Sequence, residues 1–109
     1  MPVYEYIFHF VKSKKYYFNY PLAKELGHHR DVIKCGIEAY ETHQATFPTK
    51  LVEPFVLTTS KENDVVLDMF SGSGTVGEVA LKHNRNYIGI EVNPSSVKEA
   101  NEHLKQFLK

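Results

Sequence analysis

The sequence predicts one α/β domain over residues 1–109: a strand, glycine loop, helix, strand and helix behind an N-terminal β-hairpin. Three observations carry that prediction. Tyr4, Tyr6, Phe8 and Phe10 alternate with Glu5, Ile7, His9 and Val11, which is the period of a strand. The apolar run Val65-Val66-Leu67 is bounded by Asp64 and Asp68 and leads at once into Gly72-Ser73-Gly74. A second apolar run, ending at Glu91, is followed by Asn93-Pro94, a helix-starting pair.

Val3 to Val11 is aromatic or β-branched at nearly every position, and Lys12-Ser13-Lys14-Lys15 supplies a polar turn before Tyr16-Tyr17-Phe18. A hairpin over residues 3–19 is expected. Residues 20–42 have weak periodicity and breakers at Pro21, Gly27 and Gly36, so a loop with at most one helical turn is expected there. Residues 43–109 form the remaining segment. Pro48 suits the first position of a helix whose apolar face is Leu51, Val52, Phe55 and Val56, and Pro54 should kink it. Asp64 to Asp68 reads as a short apolar strand bounded by acids, Thr75 to Lys82 as a helix and Asn86 to Glu91 as a second strand. Asn93 caps a last helix whose stripe is Val97, Ala100, Leu104, Phe107 and Leu108. Strand, helix, strand and helix within about 45 residues make a βαβ unit, with parallel strands and a right-handed crossover.

Composition narrows the function classes. Hydrophobic residues make up 42% and aromatics 13% of 109 residues, enough for one small core. Lys+Arg and Asp+Glu are both 13, so no general attraction to nucleic acid follows and any such contact is local. Lys12, Lys14, Lys15, Lys24, His28, His29 and Arg30 concentrate positive charge in the first third, which fits phosphate contact and an ordinary solvated turn equally well. The lone Cys35 allows no internal disulfide and reads as packing. No metal site is expected, because the six histidines show no H-x-x-x-H spacing and no C-x-x-C accompanies them. No membrane span and no secretory signal are expected, which makes the cytoplasm the default location.

Gly72-Ser73-Gly74-Thr75-Val76-Gly77 fits G-x-G-x-x-G between strand and helix, with Glu91 nineteen residues after Gly72. Nicotinamide dinucleotides and S-adenosyl-L-methionine share this geometry, since both use a tight glycine turn and an acid that accepts from ribose hydroxyls. Asp68 separates the two. Its carboxylate, at the end of the first strand, repels a pyrophosphate but attracts an ammonium and a sulfonium by several kcal/mol of raw Coulomb energy. A purely structural reading has Asp68 capping the glycine turn and Glu91 capping the last helix. Ser71 and Ser73 have no evident His and Asp partners for a nucleophilic triad.

Asp68-Met69-Phe70-Ser71-Gly72-Ser73-Gly74-Thr75 resembles the D-x-F-x-G-S-G-T cofactor signature of the DNA N4-cytosine and N6-adenine methyltransferases of restriction-modification type. His43-Gln44-Ala45-Thr46-Phe47-Pro48 with Leu51 resembles that family's H-x-A-x-F-P-x-x-L segment, which precedes the signature in members of permuted motif order. Arg85 to Glu91 with Asn93 is similar to R-x-x-x-G-I-E-x-N, and His9 to Tyr16 to a late hairpin. The resemblance implies a partial Rossmann-like, S-adenosylmethionine-dependent methyltransferase fold. It implies a cofactor pocket made of Asp68, Phe70, Gly72, Ser73, Gly74 and Thr75, closed at the methionine end by Thr46, Phe47 and Pro48. Glu91 becomes the ribose acceptor, supported by Asn93. Met69 departs from the proline of many relatives and is expected to loosen the strand exit without abolishing binding.

The family's catalytic motif, a polar or acidic residue before Pro-Pro-Tyr or Pro-Pro-Trp, holds and stacks a flipped base. This sequence has no Pro-Pro pair and no tryptophan, so no catalytic residue is assigned and the chain alone is expected to be inactive. It reads as the last third of an enzyme acting on DNA, joined to a complementary N-terminal fragment or to a second copy of itself. The alternative is a non-catalytic S-adenosylmethionine-binding module or a decayed remnant.

Overall fold

A computed structural model describes residues 6–27 and 48–109. Its elements are α1 (Tyr20–Glu25), α2 (Thr49–Thr59), β1 (Val65–Asp68), α3 (Thr75–Lys82), β2 (Asn86–Gly89) and α4 (Pro94–Leu104), with a final 3-10 turn over Lys105–Phe107. β1 and β2 pair in parallel, Val65 opposite Asn86 through Asp68 opposite Gly89, and α3 crosses between them. The expected βαβ unit is therefore present.

Local chemistry explains each boundary. Asn63 and Asn84 take left-handed φ values of 72° and 64°, which asparagine tolerates. The Asn63 N–H donates to the Asn84 carbonyl at 2.8 Å, and the Asn86 N–H to that of Asp64 at 2.8 Å, so both strands start in register. Pro94 opens α4 behind Asn93, whose Oδ1 accepts from the Ser95 N–H at 3.0 Å. Pro48 stands one place earlier than expected, at the cap of α2. Helix α2 runs on through Pro54, and the Thr58 hydroxyl donates back to the Pro54 carbonyl at 2.7 Å. The segment expected as loop from residue 20 contains α1, capped by Asn19 through the Leu22 N–H at 3.1 Å. The rest of that segment, from residue 28, lies outside the described residues.

The core is small. Ala23 of α1, Val56 of α2, Val79 and Ala80 of α3 and Ala100 of α4 are its buried apolar residues. Arg85 is buried beside it, and donates to the Ser60 hydroxyl at 3.1 Å, the Ser60 carbonyl at 2.6 Å and the His83 carbonyl at 2.8 Å. That fork ties the end of α2 to the start of β2. Helix α4 is fastened to α3 by His103, whose Nε2 lies 2.8 Å from the Glu78 carboxylate, and by Phe107, which carries the Lys82 ammonium over its ring.

Two expectations are corrected. Strand β2 ends at Gly89 rather than Glu91, because β1 ends at Asp68 and leaves residues 90 and 91 to bond the glycine loop. The N-terminal hairpin has no strand ladder over its described part, residues 6–19; residues 3–5 lie outside the described ones. A bend at residues 12–15 reverses the chain, with the Ser13 hydroxyl on the Lys15 carbonyl at 2.7 Å. The two arms meet through side chains, His9 against Tyr16 and Phe18 at ring distances of 5.5 and 6.0 Å. Tyr6, Phe8, Phe10 and Tyr16 stay exposed, and two strands without a covered apolar face gain too little burial to order a ladder.

Candidate cofactor-binding site

The glycine loop sits where β1 ends, between that strand and α3. Main-chain bonds hold it from both sides: Ile90 N–H to the Asp68 carbonyl at 2.8 Å, and Ser71 N–H to the Ile90 carbonyl at 3.0 Å. Gly74 N–H returns to the Ser71 carbonyl at 2.9 Å and closes the turn. Gly72 and Gly74 have φ values of 50° and 93°, a region that other residues enter only at a cost. Gly74 is also the cap of α3, and a Cβ there would lie 3.3 Å from Leu104 Cδ1. At Gly72 the same construction meets nothing within 4 Å, so the loop presents bare backbone to open space.

Two carboxylates flank that backbone. Asp68 is half-buried, and its Oδ1 accepts from the Phe70 N–H at 3.1 Å. Glu91, also half-buried, accepts from the Gly72 N–H through Oε1 at 3.0 Å and from the Asn93 N–H through Oε2 at 2.8 Å. The structural roles weighed from sequence are thus both filled: Asp68 caps the turn, and Glu91 bridges the loop to the start of α4. Neither exhausts the side chain, since an ionised carboxylate offers about four lone-pair directions. Asn93 accepts from the Ser95 hydroxyl as well, at 2.7 Å, which fixes its orientation behind Glu91.

The structure therefore gathers Asp68, Phe70, Gly72, Ser73, Gly74, Thr75, Glu91 and Asn93 at one end of the sheet. Phe70 is 88% exposed there, an aromatic ring presented to solvent beside the loop. Pro48 caps α2, which packs on α3, while Thr46 and Phe47 lie outside the described residues. Tyr87 was not singled out from sequence. Its ring lies against Gly77 of α3 and Gly89 of β2, and burial, then the nearby Asp68 charge, push its hydroxyl up to about 12. The available signal was a pair of glycines, one on the preceding helix and one two places along the same strand, which leave room for a large ring.

Matched against family models, residues 1–102 fit that of the N6/N4 DNA methylases, described as DNA methylase. The chain belongs to this DNA methylase family. Within it, the type II methyltransferase M.Cfr9I of Citrobacter freundii is 40% identical over 100 residues, covering 85% of this chain and 33% of that protein. The type II methyltransferase M.XycI of Xanthomonas campestris pv. cyanopsidis is 38% identical over 108 residues, covering 93% of the chain and 36% of the relative. The chain thus spans about a third of the length of the curated relatives it matches. Among solved structures, the complex of M1.HpyAVI with SAM superposes with a TM-score of 0.60 at 28% identity, over 83% of this chain and 44% of that one. No helix among the described residues is long and apolar enough to cross a membrane, and no group of three or more metal-ligating side chains occurs among them.

Proposed function

We propose that this chain is the S-adenosyl-L-methionine-binding part of a site-specific DNA methyltransferase acting on N4 of cytosine or N6 of adenine, and that a second polypeptide supplies the catalytic motif. The observation that carries the reading is the pairing of the half-buried Asp68 carboxylate with the bare backbone at Gly72 and the Glu91 bridge. An ammonium and a sulfonium are attracted to Asp68, the open side of Gly72 admits close approach, and Glu91 has lone pairs left for ribose hydroxyls. Phe70 provides an apolar wall, and Ser73, Thr75 and Asn93 complete the polar rim. By the family resemblance, Thr46, Phe47 and Pro48 are the segment assigned to the methionine end, the first two lying outside the described residues. These residues fit the cofactor, which supplies the electrophilic methyl group when bound.

Two observations support the reading that a partner is needed. Nothing in the 109 residues holds and stacks an extruded base, since there is no Pro-Pro pair and no tryptophan. Val65, Leu67 and Ile88, each more than half exposed, lie on one face of the β1–β2 sheet, and the equally exposed Ile90 follows just beyond β2. Such a face with a free strand edge favours association, with a complementary fragment or with a second copy. The assembled enzyme works on DNA in the cytoplasm. The missing motif also supports the alternative of a non-catalytic S-adenosylmethionine-binding module or decayed remnant.

Transfer of a radiolabelled methyl group separates the readings. The purified chain alone is expected to label DNA no faster than background. Adding a polypeptide that carries the Pro-Pro-Tyr or Pro-Pro-Trp motif should restore labelling, and its failure to do so favours the non-catalytic module. Labelling by the chain alone would overturn the division of labour.

A further inference from the structure

Among the described residues, the Tyr87 hydroxyl is a buried side-chain polar atom that makes no hydrogen bond of ordinary geometry, although Asp68 and Ser71 stand close enough to act on its acidity. Its surroundings are specific. A Cβ on Gly77 would lie 2.6 Å from Tyr87 Cε2, and one on Gly89 would lie 2.7 Å from the hydroxyl oxygen and 2.9 Å from Ser71 Cβ. The ring therefore reaches along β2, over Gly89, to the underside of the loop. Asp68 stands opposite Gly89 in the strand register, so the hydroxyl ends beside both Asp68 and Ser71. Ser71 and Tyr87 also line a cleft of about 270 Å³ against Ala100 and Leu104 of α4.

Phenylalanine would fill the same space, and a buried hydroxyl without a partner is destabilising. Retaining the hydroxyl is accounted for when it is paired in another state of the loop. Asp68 uses Oδ1 for the Phe70 N–H, and its carboxylate is the strongest acceptor nearby. We propose that Tyr87 is a positioning residue of the cofactor loop, whose hydroxyl donates to the Asp68 carboxylate when the loop closes on its ligand and so aims that carboxylate at the ligand's positive charge. The phenol, pushed up to about 12, keeps its proton at any working pH and remains a donor. This inference rests on the S-adenosylmethionine reading of Asp68.

The test is Tyr87→Phe, alone and combined with Asp68→Asn, read by calorimetric titration with S-adenosylmethionine and by melting of the ligand-free chain. Tyr87→Phe is expected to weaken binding about tenfold, the effect of one hydrogen bond to a charged group, without lowering the melting temperature. With Asn at position 68, the same substitution should change affinity less than about twofold, because the hydroxyl acts through the carboxylate. Equal binding by wild type and Tyr87→Phe would overturn the proposal while leaving the cofactor assignment intact. A loss of affinity that persists with Asn at 68, or that comes with a lower melting temperature, would also overturn it in favour of packing. No binding by the wild-type chain would instead remove the cofactor assignment on which it rests.

Discussion

The aromatic arm over residues 6–19 and the βαβ segment from β1 to α4 are both rich in apolar side chains, yet only the second forms strands. In the βαβ segment every turn is closed by its own residues: Asn63 and Asn84 start the strands, Gly72 and Gly74 make the loop, Asn93 caps the helix. Val79, Ala80 and Ala100 then bury themselves among these elements. The arm has the period of a strand and a polar turn, but its Phe8 and Phe10 rings stay largely exposed. Alternation specifies a face, and a ladder forms only when something covers that face. The contrast ranks substitutions in the two regions.

The largest expected effect is at Gly74→Val, which places a β-branched residue at a φ of 93° with Leu104 and Ala100 within 3.4 Å. Denaturant unfolding should show a loss of about 3 kcal/mol. Arg85→Ala comes next. It leaves the half-buried Ser60 and His83 carbonyls without their Arg85 donor, for an expected loss of about 2 kcal/mol by the same measurement. If either change proved neutral, the closed glycine turn and the Arg85 fork would not be what orders this half of the chain.

Alkaline pH gives a smaller effect of defined sign. The folded Tyr87 phenol is raised to about 12 from an unfolded value of 10.0, so between these two the folded state binds more protons than the unfolded one. That contribution to stability is complete below pH 10 and is lost as pH rises toward 12. Melting followed over this range should therefore fall more steeply for wild type than for Tyr87→Phe, and parallel curves would contradict the burial of that hydroxyl. The smallest effect is expected in the arm, where Phe8→Ser should change stability by less than about 0.5 kcal/mol. Sedimentation of the same variant should show weaker association. A large loss of stability would mean that the arm is covered within the chain after all.

What was legible in the sequence follows the same division. Helix α3 begins and ends where Thr75 and Lys82 predicted, and α4 starts at Pro94 as Asn93-Pro94 required, because caps and glycine turns are local signals. The acids at the strand ends were also legible, as Asp68 and Glu91 sit beside the loop. Their hydrogen bonds to Phe70, Gly72 and Asn93 were foreseen only as the alternative to ligand binding, whereas one carboxylate serves a turn and keeps lone pairs free. Strand β2 stops short of Glu91 because its partner ends at Asp68, a fact about pairing that no single segment encodes. Tyr87 escaped notice because it reads as one more apolar strand residue, and its position depends on two glycines brought together by the fold.

The central claim, that Asp68 and the glycine loop hold S-adenosylmethionine, is tested most directly by calorimetric titration of the chain, and of Asp68→Ala, with that cofactor and with a nicotinamide dinucleotide. Saturable binding of S-adenosylmethionine that falls at least about tenfold in Asp68→Ala, with weaker binding of the dinucleotide, is the expected result. Undiminished binding by Asp68→Ala, or equal or tighter binding of the dinucleotide, would contradict it.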